Sequence, residues 1–299
     1  MIGISSINFA MAGNEKTLSD PEQMKAITEA AIVSCHQNET IPDTAQMWFE
    51  KGNTAYKNTQ YDEAIKCYEK AIELEPNYAD AYNNLGIVYQ KGKWDYKEAI
   101  KCYKKAVELN TNLADAYYTL AIDYLYKETV CEEMIEYFKK VLELKPNDVD
   151  AYNHLGHAYQ VYKQDYDSSI KCYKKALELK PNEINVYYNL GSTYLIYKKD
   201  YDNAIECFKK VIELKPDEVS AYHNLGNTYL IHKKDYDNAI KYYKKTVELT
   251  PDNTYAYYNL GLAYQEKGDG EKAQKYLKKA AKLGNENAQE LLRDKNIAW

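Results

Sequence analysis

Cysteine is the first residue type whose spacing in this sequence could do chemistry. Cys67, Cys102, Cys172 and Cys207 are separated by 35 residues or by twice that number. Equivalent helices in a stack lie about 8–10 Å apart, whereas a disulfide needs Cα atoms within about 7 Å. We therefore expect no disulfide between neighbours, and we expect the four cysteines to act as small packing residues.

Histidine could form a metal site on a helix. His154 and His157 are three residues apart and could share one helix face, but His223 is two repeat intervals further on, about 20 Å away. Since a zinc ligand must lie about 2 Å from the ion, the pair lacks a third ligand. The sequence also contains no HExxH, GxxxxGK[ST], GxGxxG or GxSxG motif. We predict no metal, no cofactor and no catalytic site.

The overall composition excludes further classes of function. The 299 residues carry a formal net charge of −6, which argues against a nucleic-acid-binding protein with its basic surface. The apolar runs are too short to span a membrane. The first residues lack the positive segment that opens a secretion signal. We expect neither nucleic acid nor a membrane as a partner, and a cytoplasmic location.

A 35-residue period organises most of the chain. Each period contains a block like AYNNLGIVY (81–89) and a second block like EAIKCYKKAVELN (98–110). Both blocks have apolar residues at helical spacing. Proline follows most of the second blocks and stops the helix, because it lacks a backbone N–H. The period therefore predicts stacked pairs of helices. The first block returns as AYYTLAIDY (116–124), AYNHLGHAY (151–159), VYYNLGSTY (186–194), AYHNLGNTY (221–229) and AYYNLGLAY (256–264).

These residues resemble the signature of the tetratricopeptide repeat (TPR) family. The resemblance implies an all-α, right-handed superhelical solenoid of helix-turn-helix repeats that serves protein–protein interaction. In the first repeat it is carried by Trp48, Gly52, Ala64, Tyr68, Ala71 and Pro76. We predict seven repeats, at 44–78, 79–113, 114–148, 149–183, 184–218, 219–253 and 254–287. An acidic segment with one predicted helix precedes them (1–43), and a C-terminal capping helix and tail follow them (288–299).

Two local features depart from the simplest form of the pattern. Repeats 2 to 6 are one residue longer than the family's usual repeat, and we expect the extra residue between the two helices, as at Tyr162-Lys163-Gln164. A glycine recurs in mid-helix, for example Gly86 and Gly226, where it costs up to about 1 kcal/mol. We expect these glycines to lie opposite small residues, which would let paired helices approach closely. The small residues are Ala99, Ala204 and Ala239.

The best candidate site lies on the first helix of each repeat, which the resemblance places along a concave groove. The position before the packing leucine is most often asparagine, as at Asn84. An amide can donate to a backbone C=O and accept from a backbone N–H, so a row of amides could hold an extended peptide. Asparagine could equally be common there for other reasons. The predicted peptide-binding residues are Asn84, His154, Asn189, Asn224 and Asn259, with the neighbouring Tyr118, Tyr188, His223 and Tyr258 as aromatic anchors.

The sequence predicts a protein or peptide partner without identifying it. The family's clamp for acidic chaperone C-terminal tails needs cations where this chain has Phe49, Asp115 and Thr119, so we expect no binding of such tails. Two alternatives stay open, a self-assembling homo-oligomer and a targeting subunit for an enzyme on another chain. Residues 1–43 could also occupy the groove as an autoinhibitory segment.

Overall fold

The computed structural model describes residues 44–127 and 131–299. The segment 1–43, with its predicted helix and its autoinhibitory role, lies outside the described residues. The chain divides into two compact units, Met1–Pro76 and Asn77–Trp299. In the described part of the first unit, α1 (Ala45–Lys57) packs against α2 (Tyr61–Leu74).

The second compact unit is a solenoid in which each helix packs against the one before it. First and second helices of the repeats alternate along it, and no strand occurs in its described residues. This confirms the predicted all-α solenoid of helix-turn-helix repeats. Its helices are α3 (Ala79–Val88), α4 (Tyr96–Leu109), α5 (Ala114–Lys127), α6 (Cys131–Leu144), α7 (Val149–Ala158), α8 (Tyr166–Leu179), α9 (Ile184–Thr193), α10 (Tyr201–Leu214), α11 (Val219–Asn227), α12 (Tyr236–Leu249), α13 (Thr254–Lys267), α14 (Gly270–Lys282) and α15 (Glu286–Asp294).

Short-range signals set the ends of the second helices. The side chain of Asp165 accepts the backbone N–H of Ser168 at 3.0 Å, which satisfies one of the free donors at the start of α8. Asp95, Asp200, Asp235 and Asp269 cap their helices in the same way. At the other end, α8 stops at Leu179, two residues before Pro181. The second helices of repeats 2 and 4 to 7 therefore begin at a capping aspartate, and most second helices end shortly before a proline.

In repeats 2, 4, 5 and 6, the extra residue lies within the first helix rather than between the helices. In repeat 5, α9 continues as a π-helical turn over Tyr194–Lys198, and Lys199 follows with a left-handed φ of 54°. A π turn closes over one more residue than an α turn and so absorbs the insertion. The last repeat has no extra residue, and α13 runs unbroken to Lys267 and ends on Gly268 at φ 89°. Equivalent π turns cover Tyr89–Lys93, Tyr159–Lys163 and Thr228–Lys233.

Most of the recurring glycines face an aromatic ring and Gly261 faces Leu277, so the expectation that they lie opposite alanines is wrong. A Cβ on Gly226 would lie 2.7 Å from Cε1 of Tyr243, and one on Gly156 would lie 2.7 Å from Cε1 of Tyr173. Both tyrosines are fully buried on the second helix of the same repeat. The glycine therefore makes room for a large ring that fills the space between the two helices of a repeat.

Candidate peptide-binding face

All the predicted peptide-binding side chains belong to first helices of the second compact unit. We call the surface that they form the first-helix face. Every one of them is half-buried, so each has part of its surface packed against the solenoid and part in contact with solvent. They are Asn84 on α3, Tyr118 on α5, His154 on α7, Tyr188 and Asn189 on α9, His223 and Asn224 on α11, and Tyr258 and Asn259 on α13.

The asparagines of repeats 5 and 6 link neighbouring first helices. Asn189 Nδ2 donates to Asn153 Oδ1 at 3.0 Å, and Asn224 Nδ2 donates to the hydroxyl of Tyr188 at 3.1 Å. In each case the acceptor stands one position before the equivalent residue of the preceding repeat. One N–H of each amide is thereby held, which restrains the orientation of the side chain.

The remaining asparagines bond differently, so the row is not uniform. Asn259 Nδ2 donates at 3.2 Å to Asn227 Oδ1, which also accepts the hydroxyl of Tyr243 at 2.6 Å. Asn84 Oδ1 accepts from Asn83 of its own helix at 3.3 Å. Asn189, Asn224 and Asn259 therefore each bond to the first helix of the preceding repeat, but their three acceptors differ.

Aromatic packing positions the rings of the face. Tyr188 meets the ring of the fully buried Phe208 edge-on, with ring centroids 5.7 Å apart. His223 meets Tyr243 in the same way at 5.9 Å. His154 packs among rings, stacked on Phe138 at 5.8 Å. Since Phe208 and Tyr243 lie opposite Gly191 and Gly226, the same close contact that sets these helix pairs also supports the face. The ring of Tyr118 lies edge-on to Phe138 and to His154, and Tyr258 packs on the apolar cluster around Leu277.

A series of cavities runs along the N-terminal ends of α9, α11, α13 and α15. The first, of about 450 Å³, is lined by Tyr188, Asn189, Ser220 and their neighbours. The second, of about 380 Å³, shares Tyr188 and Ser220 and reaches Asn224 and Tyr255. A third, of about 290 Å³, continues from Tyr255 to the start of α15. The strongest part of the candidate site is therefore in repeats 5 to 7.

Among the lining residues of these cavities that sequence reasoning missed are Asn185, Ser220 and Tyr255. They stand at one equivalent position, three to four residues before the predicted ones, and so share their helix face. That helical spacing was the signal that could have found them. In repeats 2 to 4 the same position holds exposed aspartates, which makes the early part of the face acidic and the later part uncharged. They are Asp80, Asp115 and Asp150.

Burial of the histidines makes stability depend on pH. Desolvation lowers the pKa of His154, of His157 and of His223 below the usual value of 6.5. The unfolded chain then binds more protons than the folded chain, so the free energy of unfolding falls as the pH drops through about 6.5. The carboxyl pKa values that the fold lowers, such as that of Asp165, act only below about pH 4.

We expect stability to decrease between pH 7.5 and pH 5.5, with a slope of up to one proton for each of the three histidines. Chemical denaturation at a series of pH values measures the slope. The matched control is the triple variant His154→Asn, His157→Asn and His223→Asn, because asparagine occupies these positions in sister repeats. An equally steep dependence in the triple variant would contradict the assignment to these side chains.

The described residues hold neither a metal cluster nor a membrane-spanning helix. Across residues 44–127 and 131–299, no group of three or more His, Cys, Asp or Glu side chains is arranged to hold a metal ion. None of the helices in these ranges combines the length and the apolar character needed to cross a membrane. Cys67, Cys102, Cys172 and Cys207 are buried and are not disulfide-bonded.

Comparison with known proteins identifies the family. Family models described as TPR repeat match residues 42–92, 95–125, 161–195 and 195–230, and models described as tetratricopeptide repeat match 132–148 and 217–286. These matches cover more than half of the chain. The chain therefore belongs to the tetratricopeptide repeat family, as the spacing of its tyrosines, glycines and prolines predicts.

Individual relatives share part of the chain. A 76-residue stretch, 25% of this chain, is 37% identical to Hsp70-Hsp90 organizing protein 3 of Arabidopsis thaliana, and the match spans only 12% of that protein's length. Among solved structures, MamA is 30% identical with a TM-score of 0.52, over 57% of this chain and 97% of that one. YrrB, described as a TPR protein with an unusual peptide-binding site, is 26% identical with a TM-score of 0.55, over 63% of this chain and 95% of that one.

Proposed function

We propose that this protein is a non-catalytic scaffold that binds an extended peptide segment along its first-helix face. The observation that carries the proposal is the series of cavities along α9, α11 and α13, which is lined by Tyr188, Asn189 and Asn224. These cavities follow one another along the helices and are open to solvent, which suits an extended chain of peptide units better than a compact small molecule. The likeness to YrrB, whose description mentions a peptide-binding site, supports the same function.

The amides can meet an extended backbone at a regular interval. Neighbouring helices lie about 10 Å apart, and an extended chain rises about 3.3 Å per residue. Successive repeats would then contact about every third residue of the bound segment. Because Asn189 and Asn224 already have one N–H held by a neighbouring repeat, little side-chain freedom remains to be lost on binding.

The charge of the face suggests which segment it would accept. Asp80, Asp115 and Asp150 are exposed on the early repeats, although Asp115 already pairs with Lys145 at 2.6 Å. The cavities of the later repeats are lined mainly by neutral side chains. A segment with lysine or arginine at the end that lies on repeats 2 to 4 fits this gradient. Acidic chaperone tails do not fit it, because Asp115 would repel their carboxylates.

We expect the triple variant Asn189→Ala, Asn224→Ala and Asn259→Ala to bind its partner at least tenfold more weakly. Each amide contributes about 1 kcal/mol through a hydrogen bond, and a tenfold change in Kd corresponds to about 1.4 kcal/mol. The partner is first identified by affinity purification and mass spectrometry, and its affinity is then measured by calorimetry. The control is Asn203→Ala, an exposed asparagine on a second helix. Equal affinity in the triple variant would reject the proposed binding mode.

Self-association is a second candidate function, favoured by one observation. Val161, Ile196 and Ile231 stand at equivalent positions in the π turns of three successive repeats and are 45%, 59% and 60% exposed. Such a row of apolar side chains, one per repeat, is a feature of surfaces that associate. Light scattering over a concentration series separates a homo-oligomer from a monomeric scaffold.

A further inference from the structure

One position of the second helix is tyrosine in some repeats of the second compact unit and cysteine in the others. It is occupied by Tyr137, Tyr242 and Tyr276 in repeats 3, 6 and 7. In repeats 2, 4 and 5 the same position holds Cys102, Cys172 and Cys207. The exchange removes a phenol ring and leaves a much smaller side chain in the same place.

Where tyrosine is present, its ring lies between two tyrosines of the first helix of the same repeat. In repeat 3, the ring of Tyr137 has its centroid 5.8 Å from that of Tyr117 and 6.0 Å from that of Tyr124. Repeats 6 and 7 have the same three-ring arrangement. The centroid distances are 6.4 and 5.6 Å around Tyr242 and 6.4 and 5.5 Å around Tyr276.

In repeat 4 the flanking tyrosines remain and the central ring is missing. Tyr152 and Tyr159 line a cavity of about 800 Å³ together with Leu155 and Cys172. We call this cavity the Cys172 notch. Burial raises the pKa of the Cys172 thiol to about 11, so the thiol is neutral and acts as an apolar surface at physiological pH. The volume lies within the range of sites that hold small organic groups.

The rim of the notch carries positive charge that the described acidic side chains do not neutralise. Lys175 pairs with Glu178 at 2.8 Å, and Asp167 pairs with Lys198 at 2.8 Å. Lys171 and Lys174 also line the notch, and neither forms an ion pair with an acid within residues 44–127 or 131–299. A carboxylate beside the aromatic ring of a ligand would complement these two charges, of which the Lys174 ammonium lies over the ring of Tyr194 at 6.0 Å from its centroid.

We propose that the Cys172 notch is a second binding site, which takes a tyrosine or phenylalanine side chain of a partner segment with a carboxylate next to it. The partner's ring takes the position that Tyr137, Tyr242 and Tyr276 occupy in the sister repeats. The notch is lined by residues of α8 and of the first helix before it, and it shares no residue with the cavities of the first-helix face. The two sites can therefore be tested separately.

The test uses two small phenols as probes, 4-hydroxyphenylacetate and p-cresol, in ligand-observed NMR titrations of the full chain. We expect saturable binding of both, with 4-hydroxyphenylacetate several-fold tighter because it carries the carboxylate. Cys172→Tyr should abolish binding, because the protein's own ring then fills the notch.

A charge variant keeps the test independent of the packing variant. In the double variant Lys171→Ala and Lys174→Ala, the two probes should bind with about equal affinity. The control variant Lys210→Ala, outside the notch, should keep the preference for 4-hydroxyphenylacetate. Absence of saturable binding to the unmodified chain would overturn the proposal. So would equal binding to a folded Cys172→Tyr variant, or an unchanged preference in the double lysine variant.

Discussion

Replacing Phe208 with alanine is expected to lower the free energy of unfolding by about 3–5 kcal/mol. The side chain is fully buried in the largest apolar cluster of repeats 4 to 7. It fills the space beside Gly191, whose absent Cβ would lie 3.1 Å from the ring, and it supports Tyr188 on the first-helix face. Truncation would leave a cavity that the surrounding helices can close only in part.

The destabilisation caused by Phe208→Ala should also be local, because each repeat of a solenoid contacts only its neighbours. Denaturant unfolding followed by circular dichroism measures the loss of stability. Hydrogen exchange should place the increased opening in α9, α10 and α11. The matched control is Phe208→Leu, since Leu277 occupies the equivalent position of the last repeat, and it should cost clearly less. A loss below about 1 kcal/mol for the alanine variant would contradict the role assigned to the ring.

Replacing Gly226 with alanine is expected to destabilise the protein although alanine is the better helix former. The added methyl group would lie 2.7–2.9 Å from three ring atoms of Tyr243. That ring is fully buried, and its hydroxyl donates to Asn227 at 2.6 Å, so it cannot swing aside cheaply. Overpacking costs about 1–3 kcal/mol, against a gain of up to about 1 kcal/mol in helix propensity. We expect a net loss of about 1–2 kcal/mol.

Two other glycines calibrate the measurement. Gly191→Ala should cost less, because its nearest contacts are at 3.0–3.2 Å. Gly270→Ala should be neutral or slightly stabilising, because no atom lies within 4 Å of its added Cβ. Thermal and denaturant unfolding of the three variants gives the order. If Gly226→Ala proved as stable as Gly270→Ala, the close approach of glycine and ring would not limit the packing of the helix pair.

The candidate site was predictable in part. The helical spacing of the first blocks placed Asn189, Asn224 and Tyr188 on one half-buried face, and the structure finds them there. It did not indicate which partner each amide would find. Asn224 bonds a tyrosine hydroxyl, whereas Asn259 bonds back to Asn227. Whether a hydrogen bond forms depends on the spacing of the helices to within tenths of an ångström. A repeat period in the sequence does not specify helix spacing that finely.

The sequence by itself determined the class of this protein, namely a helical repeat array with no strand in its described part, because its apolar residues recur at helical spacing within a 35-residue period. Capping aspartates and terminal prolines act within a few residues and are therefore readable locally. Only the tertiary structure decided that the extra residue widens the end of a helix into a π turn, and that glycine faces a ring. It alone also decided that Cys172 leaves a notch between two tyrosines. These features depend on how side chains from separate helices fill a shared volume, and that volume exists only once the helices have packed.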